Sequence, residues 1–371
     1  MIVDDSVVVR RLVSSALRVQ DVEVVGTAPN GRLAVGEAAS LQPDVITMDI
    51  EMPQMNGIEA VRALRAAGNR TPVIMFSTLT ERGASATLEA LAAGATDYML
   101  KPNRVDNVNA AIEQVRNELL PRIRVLAARH RGAPTATRTG RPVPAPRPST
   151  APAPPAAAAS STAPVTAPKG GAAGYDLLVI GCSTGGPEAL AAVLQGLPGD
   201  FPLPILAVQH MPPVFTAQFA ARLDKQLPFQ VYEARDGQPV VPGSVFLAPG
   251  GHHLELRRQN MQLTTSLNQS PPVNYCRPAV DVLFHSAAGL ARARALGLVL
   301  TGMGADGRDG SAAIVAAGGS VIVQDEATSV VWGMPGAVAK AQLAEQILPL
   351  AEIPGALIRR VAPARTGRSS E

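Results

Sequence analysis

Aromatic residues are scarce in this 371-residue chain, at 3% with a single tryptophan. Basic and aromatic side chains are therefore not interleaved in the way that stacks nucleic-acid bases, and no nucleic-acid partner is expected. Cysteine is nearly absent as well. Cys182 and Cys276 form no C-x-x-C pair and no metal spacing, which excludes a disulfide framework and a zinc knuckle and leaves two free thiols. No apolar run approaches the roughly 18 residues of a membrane-spanning helix. The opening MIVDDSVVVRR is acidic where a secretory signal is basic and then apolar. These features predict a soluble cytoplasmic protein with no direct membrane insertion.

Hydrophobic residues make up 46% of the chain, enough for genuine cores, and the length suits two or three domains. The net charge of +3 misleads about partners. Arg131, Arg138, Arg141, Arg147 and Lys169 lie in a stretch free of acidic residues, and without their +5 the chain sums to −2. The basic excess belongs to that stretch and not to a binding groove.

Residues 1–120 alternate short apolar runs (22–28, 44–50, 72–77, 96–100) with helical patterns at about 7–19, 31–40, 57–67, 81–93 and from 105. Such alternation predicts βαβ units and a parallel sheet. Ile2 and Val3 alone precede the first acidic pair, where a strand of about five residues is typical. The natural product is therefore expected to begin upstream of Met1. Residues 121–174 read as a disordered Pro/Ala-rich linker, because their composition cannot offset the entropy of ordering. From 175 to 360 a second α/β pattern runs, with strands at 176–180, 204–209, 296–301 and 320–324. An antiparallel excursion is expected over 245–265, and a polar tail over 361–371. The predicted fold class is α/β, with two doubly wound, mostly parallel-sheet domains: a flavodoxin-like one and a Rossmann-like one.

In parallel sheets ligands gather at the carboxyl ends of the strands. Asp4 and Asp5 end the first strand, Asp49 the third and Ser77 the fourth, and Lys101 follows the fifth. Three clustered carboxylates call for a hard cation such as Mg²⁺. Asp49 could then attack a phosphoryl group, with Mg²⁺ and Lys101 neutralising its oxygens and Ser77 donating a hydrogen bond.

In the second domain Ser183 sits in G-C-S-T-G-G-P directly after a strand, a match to the G-x-S-x-G nucleophile turn. A phosphate-cradling loop is the competing reading, although the spacing and lysine of a P-loop are missing. Cys182 is a further candidate nucleophile. Of five histidines, His210 falls at a strand end on the same rim, and Asp306 follows another strand in T-G-M-G-A-D-G. The order Ser, acid, His would instead require His252, His253 or His285. Roles rather than order define a triad, and the strand-end criterion favours Ser183, His210 and Asp306.

Residues 1–120 resemble the response-regulator receiver family through VDDS, MDIEMPQMNG, FST and the 98–101 segment. Residues 175–358 resemble the catalytic domain of chemotaxis protein-glutamate methylesterases through GCSTGGP, QHMP, APGGHHLEL, RPAVDVLF, TGMGADG and VWGMP. The first resemblance implies Asp49 as phosphoacceptor, Asp5 and the Glu51 carbonyl as metal ligands, and Ser77 with Tyr98 as a switch pair. The second implies Ser183 as nucleophile, His210 as general base and acid, and Asp306 as its orienter. It further implies that the Met303 N–H serves an oxyanion hole, that the Thr184 hydroxyl supports His210, and that the hydrolase needs no cofactor. The implied activity is phosphorylation-activated hydrolysis of glutamyl methyl esters, with deamidation of certain glutamines, on methyl-accepting chemoreceptors. The implied phosphodonor is a chemotaxis histidine kinase. A different reading is a receiver joined to an output module that binds a partner and does no chemistry.

Overall fold

The computed structural model describes residues 1–101, 108–132 and 174–361. The expected linker, apart from 121–132 and 174, and the tail beyond Val361 lie outside the described residues.

The first domain is a five-stranded parallel sheet in the order β2-β1-β3-β4-β5, the order of a doubly wound fold. Its strands are β1 (Ile2–Val3), β2 (Thr27–Ala28), β3 (Ile46–Asp49), β4 (Val73–Ser77) and β5 (Asp97–Leu100). Short as it is, β1 pairs on both sides: Ile2 aligns with Thr27 of β2 and Thr47 of β3. The Met1 ammonium donates to Val45 O at 2.9 Å. The helices α1 (Val7–Ala16), α2 (Gly31–Leu41), α3 (Gly57–Ala66), α4 (Glu81–Ala92) and α5 (Val108–Gly132) cover the faces. Side-chain caps start α1 to α4. Asn56 and Glu59 of α3 form a reciprocal capping box that satisfies two orphan N–H groups.

One boundary differs from the sequence expectation. Helix α5 runs through residue 120 and ends at Gly132, so residues 121–132 are helix and not linker. Leu119, Leu120, Ile123, Leu126 and Ala127 are buried at helical spacing, and that stripe outweighs Pro121 within it.

The second domain is a seven-stranded sheet in the order β14-β13-β12-β6-β7-β9-β8, parallel throughout. The strands are β6 (Leu177–Cys182), β7 (Ile205–Gln209), β8 (Gln230–Glu233), β9 (Ser244–Leu247), β12 (Ala295–Val299), β13 (Ser320–Gln324) and β14 (Gln346–Leu348). The antiparallel excursion is smaller than expected. It is the hairpin of β10 (His253–Gln259) and β11 (Gln262–Asn268), while β9 belongs to the main sheet beside β7. The helices are α6 (Gly186–Gln195), α7 (Phe215–Gln226), α8 (Val280–Ala291), α9 (Arg308–Ala316), α10 (Met334–Lys340) and α11 (Ile353–Val361).

The two domains pack together along α4 and α7 and close over one rim of the second sheet. Tyr98 of β5 stacks on Phe215 of α7, with centroids 5.0 Å apart and planes 8° from parallel. Arg222 of α7 donates to the Leu88 carbonyl of α4. At the far end of α5, Arg129 donates to the carbonyls of Glu326 (3.1 Å) and Ala327 (2.8 Å) in the loop after β13.

Candidate active site

At the carboxyl rim of the first sheet Asp4, Asp5 and Asp49 each offer an oxygen within 4.8 Å of the others. Lys101 Nζ lies 2.8 Å from Asp49 Oδ2 and 3.2 Å from Asp4 Oδ2. Asp4 Oδ2 is buried, and among the described residues the Lys101 ammonium is its only polar contact. An under-satisfied buried oxygen among clustered carboxylates fits a hard divalent cation. Burial pushes the Asp49 carboxyl up to about 6, and Asp4 adds to that rise against the opposing pull of Lys101. Glu51 opens the following loop with its side chain exposed and 3.4 Å from Arg82. The expected switch pair is not in contact. Ser77 Oγ donates to Gly83 O at 3.1 Å and accepts from Thr87 at 2.7 Å, whereas Tyr98 is turned into the domain interface.

At the carboxyl rim of the second sheet three strand ends converge. Ser183 follows β6, His210 follows β7, and Asp306 follows β12 across the turn from Thr301. The chain then turns sharply into α6 through Gly185, at φ +73°, and Ser183 O accepts from Gly186 N at 2.7 Å. Gly302 packs against the Ser183 turn so closely that an added Cβ would sit 2.9 Å from Ser183 Cβ and 2.3 Å from the Met334 sulfur. Any larger residue would force Met334, Ser183 or both to shift.

His210 Nε2 lies 2.8 Å from Asp306 Oδ2. The carboxylate is heavily anchored: Val280 N and Asp281 N donate at 2.7 and 3.0 Å, Asn274 Nδ2 and Gly307 N at 3.1 Å each. Burial alone would raise this carboxyl, but His210 and the N–H donors hold it down at about 2. For His210 burial works downward, yet Asp306 and Cys276 outweigh it and raise the imidazole to about 9. With Nε2 directed at Asp306, Nδ1 is the nitrogen left for proton transfer. In this closed arrangement its neighbour is Cys276 Sγ at 3.6 Å. Ser183 Oγ has no hydrogen-bond partner among the described residues.

The remaining candidates separate. The Met303 N–H has no partner among the described residues, and the residue is 37% exposed in the cleft wall. The Thr184 hydroxyl does not reach His210. It donates across the domain interface to Asp97 Oδ2 at 3.2 Å, an oxygen that Arg122 also pairs with at 3.2 Å. Burial raises the Asp97 carboxyl while Arg122 opposes it. Cys182 is fully buried, and burial pushes its thiol far up, so it is no thiolate nucleophile. His253 is held by Ala279 N and Pro271 O, and none of His252, His253 and His285 lines the cleft.

Sequence reasoning missed Asn274 and Asp281. Asp281 is buried at the start of α8 and accepts N–H groups from Gly307 (3.0 Å) and Gly310 (2.7 Å). Asn274 donates to both Asp281 (2.8 Å) and Asp306. The available signal was the lone carboxylate amid the apolar run of RPAVDVLF.

Ser183 and His210 open onto a cleft of about 670 Å³ whose opposite wall is built by β5 and α5 of the first domain. The class that this fold and this cleft define is a receiver domain closed over an α/β hydrolase of the serine type. Family models place the same division along the chain: a response regulator receiver domain over residues 1–113 and a CheB methylesterase over 178–357. The protein-glutamate methylesterase/protein-glutamine glutaminase of Nocardioides sp. is 56% identical, across 98% of this chain and 96% of its own. The protein of the same name from Trichodesmium erythraeum is 44% identical, across 97% of this chain and 98% of its own. The CheB methylesterase catalytic domain of Thermotoga maritima is 43% identical over 50% of this chain and 99% of its own, with a TM-score of 0.49. The chain belongs to the protein-glutamate methylesterase/protein-glutamine glutaminase family.

Proposed function

We propose that this protein hydrolyses γ-glutamyl methyl esters, and deamidates glutamines, on methyl-accepting chemoreceptors, under the control of phosphorylation at Asp49. The observation that carries this reading is the His210–Asp306 contact of 2.8 Å beside Ser183 in a cleft walled by the receiver.

Ser183 Oγ attacks the ester carbonyl while His210 Nδ1 takes its proton. The tetrahedral oxyanion finds the unpartnered Met303 N–H. The proton on His210 passes to the departing methoxyl, releasing methanol. Water, activated by the same imidazole, then cleaves the acyl-serine and leaves a glutamate. With a glutamine substrate the leaving group is ammonia. Asp306 stays ionised and steadies the imidazolium, a role matched to a carboxyl held at about 2. No step calls for a cofactor in the hydrolase.

In the receiver, Asp4, Asp5, Asp49 and the Glu51 carbonyl would hold Mg²⁺. When bound, that ion neutralises the oxygens of the transferred phosphoryl group. Lys101 pairs with Asp49 and Ser77 donates to the phosphoryl. That recruitment withdraws Ser77 from Thr87 and Gly83 and loosens the Tyr98–Phe215 stack, a shift between closed and open populations. Opening also frees the Thr184 hydroxyl from Asp97, so that it can support His210. The phosphodonor is a chemotaxis histidine kinase, and the setting is the cytoplasm. The test is methanol release from methylated receptors, with and without a small phosphodonor, for the full chain and for Ser183→Ala. Equal release by the two chains would sink the assignment.

A further inference from the structure

The hydrolase wall of the cleft carries a charge that ester hydrolysis leaves unused. Arg277 lines that wall with Ser183 and His210, one residue past the Cys276 that touches His210. Its Nη1 donates to the carbonyls of Gln269 (2.9 Å) and Ser270 (3.1 Å), which fixes the direction of the guanidinium. Its Nε is buried and has no hydrogen-bond partner. Among the described residues no carboxylate lies within ion-pair distance of it. Among the described residues the hydrolase wall itself contains no Asp or Glu, since Asp306 lies behind His210. The carboxylates across the cleft, Asp97 and Glu118, belong to the receiver, and Asp97 is already paired with Arg122. A half-buried guanidinium with open donors, held in a fixed direction, is the geometry that takes a carboxylate.

We propose that Arg277 is a specificity residue, binding a carboxylate on the substrate segment beside the ester or amide under attack. The proposal rests on the methylesterase and deamidase reading above. Hydrolysis of a glutamyl ester or a glutamine leaves a glutamate. A segment with several such sites therefore gains a carboxylate at each turnover. A cation beside the nucleophile makes the next neutral site on a processed segment a better substrate than one on an unprocessed segment. The contact forms in the ground state and persists in the transition state, so its effect falls on KM more than on kcat.

The experiment uses the full chain activated by a small phosphodonor. It compares two methylated receptor fragments that differ in one residue flanking the ester, Glu or Ala. The wild type should favour the Glu fragment by about tenfold in kcat/KM, the worth of one charge-assisted hydrogen bond. That ratio should shrink at about 1 M salt, where screening reaches about 3 Å. It should fall to about one in Arg277→Gln and be partly kept in Arg277→Lys. Should Arg277→Gln fail to fold, the wild-type ratio and its salt dependence still decide. Hydrolysis of both fragments with a wild-type ratio near one would overturn the proposal alone, as would the same preference in Arg277→Gln. Absence of methanol from both would overturn the methylesterase reading, and this proposal with it.

Discussion

Asp49 and Asp306 are both buried carboxylates at the carboxyl rim of a parallel sheet, yet their acidities are pushed in opposite directions, to about 6 and about 2. Their partners explain the difference. Asp306 has three backbone N–H donors, the Asn274 amide and His210. Asp49 has one backbone N–H, from Ile50 at 2.7 Å, together with Lys101 and the opposing charge of Asp4. Asp306 is surrounded by fixed donors, which favour its anion. Asp49 is left short of them, and under the proposed function a cation and the phosphoryl oxygens would supply what is missing.

The largest expected effects test the role of the anchored anion. Ser183→Ala should lower turnover by about 10⁶. Asp306→Asn should lower it by about 10⁴, because it spoils the orientation and protonation of His210 but spares the bond-forming atom. Methanol release measures both, and an Asp306→Asn chain as fast as wild type would remove the contrast between the two carboxylates. At the other rim, Asp49→Ala should abolish stimulation by a small phosphodonor while the resting rate stays, since Asp49 does not line the cleft. A hydrolysis assay with and without the donor decides this. The third effect is on the pH profile. A general base works unprotonated, so a His210 raised to about 9 implies that resting kcat/KM climbs with pH until about 9. Cys276→Ala should move that limb to lower pH, because the thiol is one of the groups raising His210.

The smallest effect is on stability, and here the two carboxylates should slope oppositely. Asp306 is depressed below its ordinary value of about 4, so its contribution is present above that value and lost as pH falls through about 2. Asp49 is raised, so the folded chain binds the extra proton between about 4 and 6, and stability declines as pH rises through that window. Asp49→Asn should therefore gain on the order of 1 kcal/mol relative to wild type between pH 4 and pH 7 without Mg²⁺. Denaturant melts at the two pH values measure it, and added Mg²⁺ should narrow the gap.

Strand-helix alternation and the rim positions of Asp49, Ser183, His210 and Asp306 were legible because each strand ends in a short apolar run followed by a turn. Strands β8 and β14 were not. The first alternates exposed and buried residues over four positions at a sheet edge, and the second is three residues long. Strand β9 reads from sequence as part of the antiparallel excursion because β10 follows it within six residues, while its parallel pairing with β7 and β8 is set by tertiary packing. Thr184 was expected at His210 and lies on Asp97, a contact between residues 87 apart that no local pattern encodes. Asn274 escaped for the same reason, since its two carboxylate partners come from separate elements.

Helix α5 is 25 residues and roughly 37 Å long, with Arg129 near its end. The carbonyls that Arg129 grips open a loop whose Val331 exchanges hydrogen bonds with the Thr301 hydroxyl, and Val331 O accepts from Gly302 N at 3.0 Å. Thr301 O in turn accepts from Ser183 N at 3.0 Å. The receiver thus reaches Ser183 from two directions: across the cleft, by covering it, and from behind, through a rod braced against the backbone that carries it. A tilt of that rod would shift the alignment of Ser183 even with the cleft fully open. The receiver therefore has a hold on the backbone behind Ser183 as well as on the cleft in front of it.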